Sequence, residues 1–348
     1  MKMAPVVAEL ERRPDRFRSV LVHTGQHYDR EMSGMLMDEL DVSPPDHLLG
    51  VGSGTHAEQT ARVMERLEPV IRAEAPDLML VPGDVNSTLG AALVGSKLGI
   101  RIGHVEAGLR SFDRTMPEEV NRVLTDALSD PLFIHSPEAR DNLIAEGRPE
   151  SAIHMVGNTM IDTLVRMLGG VRALDAPGRR GLSGAEYLVV TLHRPSLVDG
   201  HLLADVLREL SSVAERLPVV FPCHPRTRRR MAELSVPLSP GLEILDPLGY
   251  AEFLGLVDGA AGVLTDSGGI QEETTYLGVP CFTLRSTTER PVTCRQGTNT
   301  LLGLAPERIA EIPDLIAAMP PEGRSVPDLW DGHAATRLVE VIDEELGR

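Results

Sequence analysis

Lysine is nearly missing from this 348-residue chain, with Lys2 and Lys97 as its only two. Arginine carries the basic charge instead, and 51 acidic against 34 basic residues leave a net charge of −17. A chain this acidic repels polyanions, which excludes nucleic acid and anionic membrane as partners. Aromatic residues make up 3% of the chain, so its cores must rest on Leu, Val, Ile, Ala and Met. The three cysteines, Cys223, Cys281 and Cys294, are too few and too scattered for a disulfide framework or a metal cluster, and they suit a reducing cytoplasm. No apolar run reaches the ~20 residues of a membrane span. The opening MKMAPVVAELERRPD turns polar too soon for a signal peptide.

What is present is alternation. Short β-rich runs at Ser19–Thr24, Leu78–Pro82, Arg101–Val105, Leu132–His135 and Ile153–Val156 are separated by longer helical patterns. A second set follows at Tyr187–Leu192, Val219–Pro222, Glu243–Leu245, Gly262–Thr265 and Cys281–Leu284. Apolar residues at i, i+3 and i+4 mark helices such as Ala57–Ala73 and Ala204–Arg216. This order predicts an α/β protein with parallel sheets covered on both faces. Gly169–Gly184, rich in Gly and Arg, breaks the rhythm and reads as a link between two doubly wound domains, 1–168 and 185–330. Gly332–Leu346 has helical spacing, and residues 331–348 are expected to pack back on the first domain. The chain opens in a helix-like segment, Met3–Arg12, without the strand that usually begins such a domain.

Residues 262–273, Gly-Val-Leu-Thr-Asp-Ser-Gly-Gly-Ile-Gln-Glu-Glu, carry the most specific chemistry. An apolar strand ends at Thr265-Asp266, and Ser267-Gly268-Gly269 then leads into a helix. Small residues at such a turn let a phosphate approach the free N–H groups of the first helical turn. Glu272 or Glu273, one turn in, offers a carboxylate to ribose hydroxyls. An ordinary strand-to-helix turn with glycines for packing is the competing reading. The pattern differs from G-x-G-x-x-G, so no nicotinamide cofactor is implied.

Several carboxylates sit where loops leave strands. Asp84 follows Val81-Pro82-Gly83, and either caps the helix beginning near Ser87-Thr88 or lines a ligand site. Glu106, in His104-Val105-Glu106-Ala107-Gly108-Leu109-Arg110, is poorly explained by capping. Glu118 and Glu119 follow Pro117, where acids complement a helix dipole or join the other two as acid–base groups. His193 and Arg194 end a strand of the second domain, as does the cationic group His224–Arg228. Arg290, in Thr287-Thr288-Glu289-Arg290-Pro291, is suited to a phosphate.

Together these motifs resemble the non-hydrolysing UDP-N-acetylglucosamine 2-epimerases over essentially the whole chain. The match also runs through Lys2-Met3-Ala4-Pro5, Thr24-Gly25-Gln26-His27, Pro117–Arg122 and Gly157–Asp162. The resemblance implies a GT-B fold with a cleft between two Rossmann-like domains, a cytoplasmic homodimer, and epimerisation of a UDP-sugar without a redox cofactor, for polysaccharide precursors. It places catalytic groups at Asp84, Glu106, Glu118 and His193. Substrate contacts fall on Lys2, Phe253, Ser267, Gly268, Gly269, Glu273 and Arg290, with no metal. Such relatives carry a first strand and a Gly-Thr-Arg-Pro-Glu loop before Lys-Met-Ala-Pro, and this sequence has neither. Tyr28-Asp29-Arg30-Glu31 differs from relatives regulated by a second substrate molecule, so no allosteric site is carried over. Four other readings stay open: a nucleotide-sugar binding protein without turnover, an epimerase of a UDP-diacetamido uronic acid, a hydrolysing epimerase, and a retaining glycosyltransferase of the same fold.

Overall fold

Twelve short strands, all in parallel pairs, are arranged in a computed structural model that describes residues 1–25, 37, 39–200, 202–319 and 325–347. Gln26, His27 and the Tyr28–Glu31 stretch lie outside the described residues. The chain divides into two units, Met1–Arg166 with Asp328–Arg348, and Met167–Pro327.

In the first unit β1 (Val22–His23) pairs with β2 (His47–Leu48). A separate four-stranded sheet runs β3 (Leu78–Pro82), β4 (Arg101–Val105), β5 (Leu132–Ile134), β6 (Ile153–Met155). The predicted Ser19–Thr24 strand is thus only two residues long, and β2 was not anticipated. The chain opens in the helix Ala4–Glu11. The helix His56–Glu74 begins with a capping box: Thr55 Oγ1 accepts from the Glu58 N–H at 3.2 Å, and Glu58 Oε2 accepts from the Thr55 N–H at 3.0 Å.

The helix Ala334–Leu346 belongs to this unit and lies against Ala4–Glu11. Its Ala335, Leu338, Val339 and Ile342 share a core with Val6, Val105, Phe133 and Val156. Asp162 caps it, accepting from the N–H groups of Ala334 at 3.1 Å and Ala335 at 2.7 Å. Trp330, the single tryptophan, is buried and donates to the His135 carbonyl at 2.9 Å.

The second unit has six strands, β7 (Leu188–Thr191), β8 (Val219–Pro222), β9 (Leu242–Leu245), β10 (Gly262–Thr265), β11 (Cys281–Thr283) and β12 (Asn299–Leu301). Their order across the sheet is β12-β11-β10-β7-β8-β9. This is the doubly wound order, and its direction reverses between β7 and β10, where open α/β sheets hold ligands. Alternate residues bury on opposite faces: Leu188, Val190, Phe221 and Leu264 in one core, Val189, Val220 and Val263 in the other. Residues 169–184, expected as a linking stretch, prove helical at their start. The helix Thr159–Leu174 runs through Gly169-Gly170, and a short turn at Gly178–Arg180 follows. The flanking apolar residues sustain the helix where two glycines weaken it by only about 1 kcal/mol each.

Candidate active-site residues in the two units

In the first unit β3 and β4 are neighbours in register, with Pro82 beside Val105. Asp84 and Glu106 therefore leave adjacent strands at the same sheet edge. The helix after Asp84 starts at Asn86 with Val85 as its N-cap, so Asp84 does not cap it. The Asp84 carboxylate instead pairs with Arg122, and Asn121 Nδ2 holds the Asp84 carbonyl at 2.9 Å. Glu106 takes the left-handed conformation at φ +73°, costing a non-glycine residue about 1–2 kcal/mol. Its carboxylate pairs with the Lys2 ammonium. Gly83 lies between these groups at φ +65°, and a Cβ there would stand 2.7 Å from Lys2 Nζ.

A buried charge network supports both loops. His104 Nδ1 meets Asp126 Oδ1 at 2.6 Å, and Nε2 meets the Gly83 carbonyl at 2.8 Å. Both partners are acceptors, so each ring nitrogen bonds its partner by donating. Asp126 also accepts from Arg110 at 2.7 Å and from the Gly108 N–H at 3.1 Å. Burial works against the Asp126 carboxylate, yet His104 and Arg110 hold it below the usual range.

The two glutamates after Pro117 have different duties. Glu119 is buried and accepts from Ser111 N–H at 2.9 Å, Phe112 N–H at 2.8 Å and Arg122 at 2.7 Å, which makes it the latch of the preceding loop. Glu118 is half-buried, and its side chain makes no hydrogen bond or ion pair among the described residues. A small cavity in this unit is lined by Lys2, Glu106, His135, Asn158, Thr159 and Met160. Asn158 Oδ1 accepts from Met160 N–H at 2.9 Å, leaving a buried Nδ2 donor with no partner among the described residues. Neither His135 nor Asn158 was singled out from the sequence, although Asn158 lies inside the matched Gly157–Asp162 stretch.

In the second unit the helix Gly268–Leu277 follows β10, with Ser267 as its N-cap. Gly269 occupies its first turn, whose N–H groups have no partner within the helix. Arg290 is buried over this end, 2.8 Å from Glu272 and 2.5 Å from Glu289. A Cβ on Gly268 would come within 2.4 Å of Arg290 Nη1, so only glycine permits this approach. Of the two acids in the helix, Glu272 is thus committed to Arg290. Glu273 accepts from the Tyr250 hydroxyl at 2.7 Å, and its Oε2 is buried without a partner among the described residues. Burial pushes the Glu273 carboxyl up to about 7, partly offset by the Tyr250 hydroxyl and reinforced by the Glu272 charge. Phe253, one helical turn after Tyr250, is half-buried against the core that includes Tyr187 and Leu256.

His193 follows β7, with its side chain 55% exposed, and its Nδ1 lies 2.8 Å from Asp266 Oδ1. The structure brings Lys2, Asp84 and Glu106 to one edge of the first unit. In the second it gathers Ser267, Gly268 and Arg290, with Glu273 on the same helix and His193 joined to it through Asp266.

Two Rossmann-like α/β units make this a GT-B-type fold. A calicheamicin glycosyltransferase, 16% identical with a TM-score of 0.59, shares that fold alone. The sequence profile of the UDP-N-acetylglucosamine 2-epimerases matches residues 8–343, and the chain belongs to that family. It is 41% identical over 319 residues to a UDP-N-acetylglucosamine 2-epimerase of Methanococcus maripaludis, covering 89% of this chain and 86% of that one. A Pseudomonas aeruginosa UDP-2,3-diacetamido-2,3-dideoxy-D-glucuronate 2-epimerase is 38% identical, covering 97% and 95%. The crystal structure of the Methanocaldococcus jannaschii UDP-GlcNAc 2-epimerase with UDP-GlcNAc and UDP superimposes with a TM-score of 0.90 at 37% identity, over 99% of this chain and 96% of that one.

Proposed function

We propose that this protein interconverts UDP-N-acetylglucosamine and UDP-N-acetylmannosamine. A carboxylate of the first unit takes the C2 proton. The C2–H electrons form the C1–C2 double bond, and the C1–O pair leaves with UDP. UDP then adds back to C1 of the glycal while a carboxylic acid returns a proton to the other face of C2. Every electron is accounted for without a redox cofactor.

The observation that carries the reading is the pairing of Asp84 and Glu106 at the ends of adjacent strands, each with its own cation, Arg122 and Lys2. Two carboxylates held in different surroundings fit an acid and a base. Glu118, on the helix that carries Arg122, is the third carboxylate of the set. The second unit takes the nucleotide. The first turn at Ser267–Gly269 and Arg290 receive the diphosphate, the orphan Glu273 Oε2 receives ribose hydroxyls, Phe253 adjoins the base, and His193 meets the departing charge. Lys2 serves the sugar. A homodimer in the cytoplasm belongs to the same reading; no helix among the described residues is long and apolar enough to cross a membrane.

Incubation with UDP-N-acetylglucosamine in D₂O tests it. Deuterium is expected at C2 of both epimers, with UDP-N-acetylmannosamine accumulating. Failure to exchange C2 hydrogen refutes the activity. The Pseudomonas aeruginosa relative supports a second substrate, UDP-2,3-diacetamido-2,3-dideoxy-D-glucuronate. Faster exchange with that sugar in the same assay would select it.

A further inference from the structure

Asp266 joins two loops of the second unit's site through His193 and Arg194. It leaves β10 while His193 leaves β7, and these neighbouring strands are in register, Thr265 beside Thr191. The pair therefore sits at the strand-order reversal, immediately before Ser267 opens the helix. Asp266 is fully buried, whereas the His193 side chain is 55% exposed.

The carboxylate's two oxygens are divided. Oδ2 accepts from the backbone N–H groups of His193 at 2.9 Å and Arg194 at 2.7 Å. These bonds alone would latch the two loops. Arg194 Nε also donates to the Asp266 carbonyl at 2.9 Å. Oδ1 makes no hydrogen bond among the described residues and lies 2.8 Å from His193 Nδ1 as an ion-pair contact. Burial opposes the Asp266 charge, but the His193 ring and the two backbone donors keep the carboxyl below the usual range. An ionised carboxylate only accepts, so its charge beside Nδ1 favours the ring with the proton on that nitrogen. The exposed Nε2 is then an acceptor in the neutral ring and a donor in the imidazolium.

We infer that Asp266 is a positioning residue for His193. It fixes the ring with Nδ1–H inward and Nε2 toward the bound diphosphate, so that an imidazolium N–H meets the oxygen leaving C1. This role rests on the epimerase reading above. As the C1–O bond breaks, the Nε2 proton bonds to, or passes to, the departing phosphate oxygen. Re-addition of UDP returns it, and no net proton is consumed. A carboxylate behind an imidazole performs the same orienting task in hydrolytic triads.

The test is ¹⁵N NMR of the imidazole nitrogens in the full-length protein, with the His193 signals assigned by their loss in His193→Gln. In the wild type the neutral His193 ring is expected to carry its proton on Nδ1. In Asp266→Asn the side-chain amide can face Nδ1 as a donor, and the proton moves to Nε2. The same variant is expected to lose at least ~100-fold in kcat, with KM and the UDP Kd within about threefold. A wild-type ring protonated on Nε2 overturns the proposal without recourse to any variant. So does a tautomer exchange with unchanged turnover, or equal loss of kcat and UDP binding with no exchange. If the wild type exchanges no C2 hydrogen while the tautomer still depends on Asp266, the epimerase reading fails and the pairing stands.

Discussion

The Lys2 ammonium lies against the Glu106 carboxylate, joining residues 104 positions apart on a backbone that holds the glutamate in the left-handed region at φ +73°. A non-glycine residue is kept there only where surrounding contacts demand it, and such positions gather at functional sites. Glu106→Gln preserves shape and removes both a carboxylate proposed for proton transfer and the partner of Lys2. C2 exchange is expected to fall ~10²–10⁴-fold, the usual range for a lost acid–base group. UDP affinity by calorimetry should stay within about threefold. Exchange at the wild-type rate excludes Glu106 from proton transfer.

Arg290, proposed above for the diphosphate, also carries structure through its ion pairs with Glu272 and Glu289. Arg290→Ala takes the cation from buried Glu272 and leaves Glu289 with Arg285, which costs about 3–5 kcal/mol. Gly268→Ala leaves the arginine in place in the sequence but drives a methyl into its guanidinium. UDP binding is expected to weaken about 10–100-fold in Gly268→Ala, the equivalent of one charge-assisted hydrogen bond, with a smaller fall in Tm than in Arg290→Ala. Unchanged UDP affinity in both variants would remove this helix end as the diphosphate seat.

Glu273 imposes a pH dependence of definite sign. Its carboxyl titrates at about 7 in the folded chain against 4.5 as its ordinary value. Between these limits the folded state holds a proton that the unfolded state has released. The contribution to stability is therefore complete below about 4.5 and declines as pH rises through 7, by about 3 kcal/mol. Urea titrations should show Glu273→Gln flattening this part of the profile. In the proposed complex the ribose hydroxyls donate to this carboxylate and so favour its ionised form. Binding near pH 6.5 should thus release protons, seen as a dependence of the calorimetric enthalpy on buffer, and the variant should abolish it.

Asp162 tests a structural reading of a matched motif. Its two oxygens take the first N–H groups of Ala334–Leu346. Asp162→Ala is expected to cost about 1–2 kcal/mol, measured by urea unfolding, while UDP binding by the other unit is retained. A loss below about 0.3 kcal/mol would mean the cap contributes little.

Strands with continuous apolar runs were legible in the chain. Leu78–Pro82, Arg101–Val105, Val219–Pro222 and Gly262–Thr265 have the bounds the sequence suggests. His47–Leu48 and Asn299–Leu301 were not, because two or three residues of mixed polarity show no period. At the site, residues following strands stood out by type and place, which is how Asp84, Glu106, His193 and Ser267–Gly269 were reached. Their partners were silent. Arg122 at Asp84, Asp266 at His193 and Tyr250 at Glu273 are brought together by register and helix packing, and local patterning does not encode pairs separated by dozens of residues. For the same reason Glu118 and Glu119 looked alike in sequence, although one latches a loop and the other does not.

Residues Met1–Arg166 share their core with the helix Ala334–Leu346, whereas Met167–Pro327 is one continuous stretch. During synthesis the ribosome must therefore add the whole of Met167–Pro327 before that helix can emerge, on the order of ten seconds or more at ordinary elongation rates. Val6, Phe133 and Val156 wait through that interval with their apolar seam open. The later-encoded unit is the one free to mature first, and the nascent earlier one is the natural client for a chaperone.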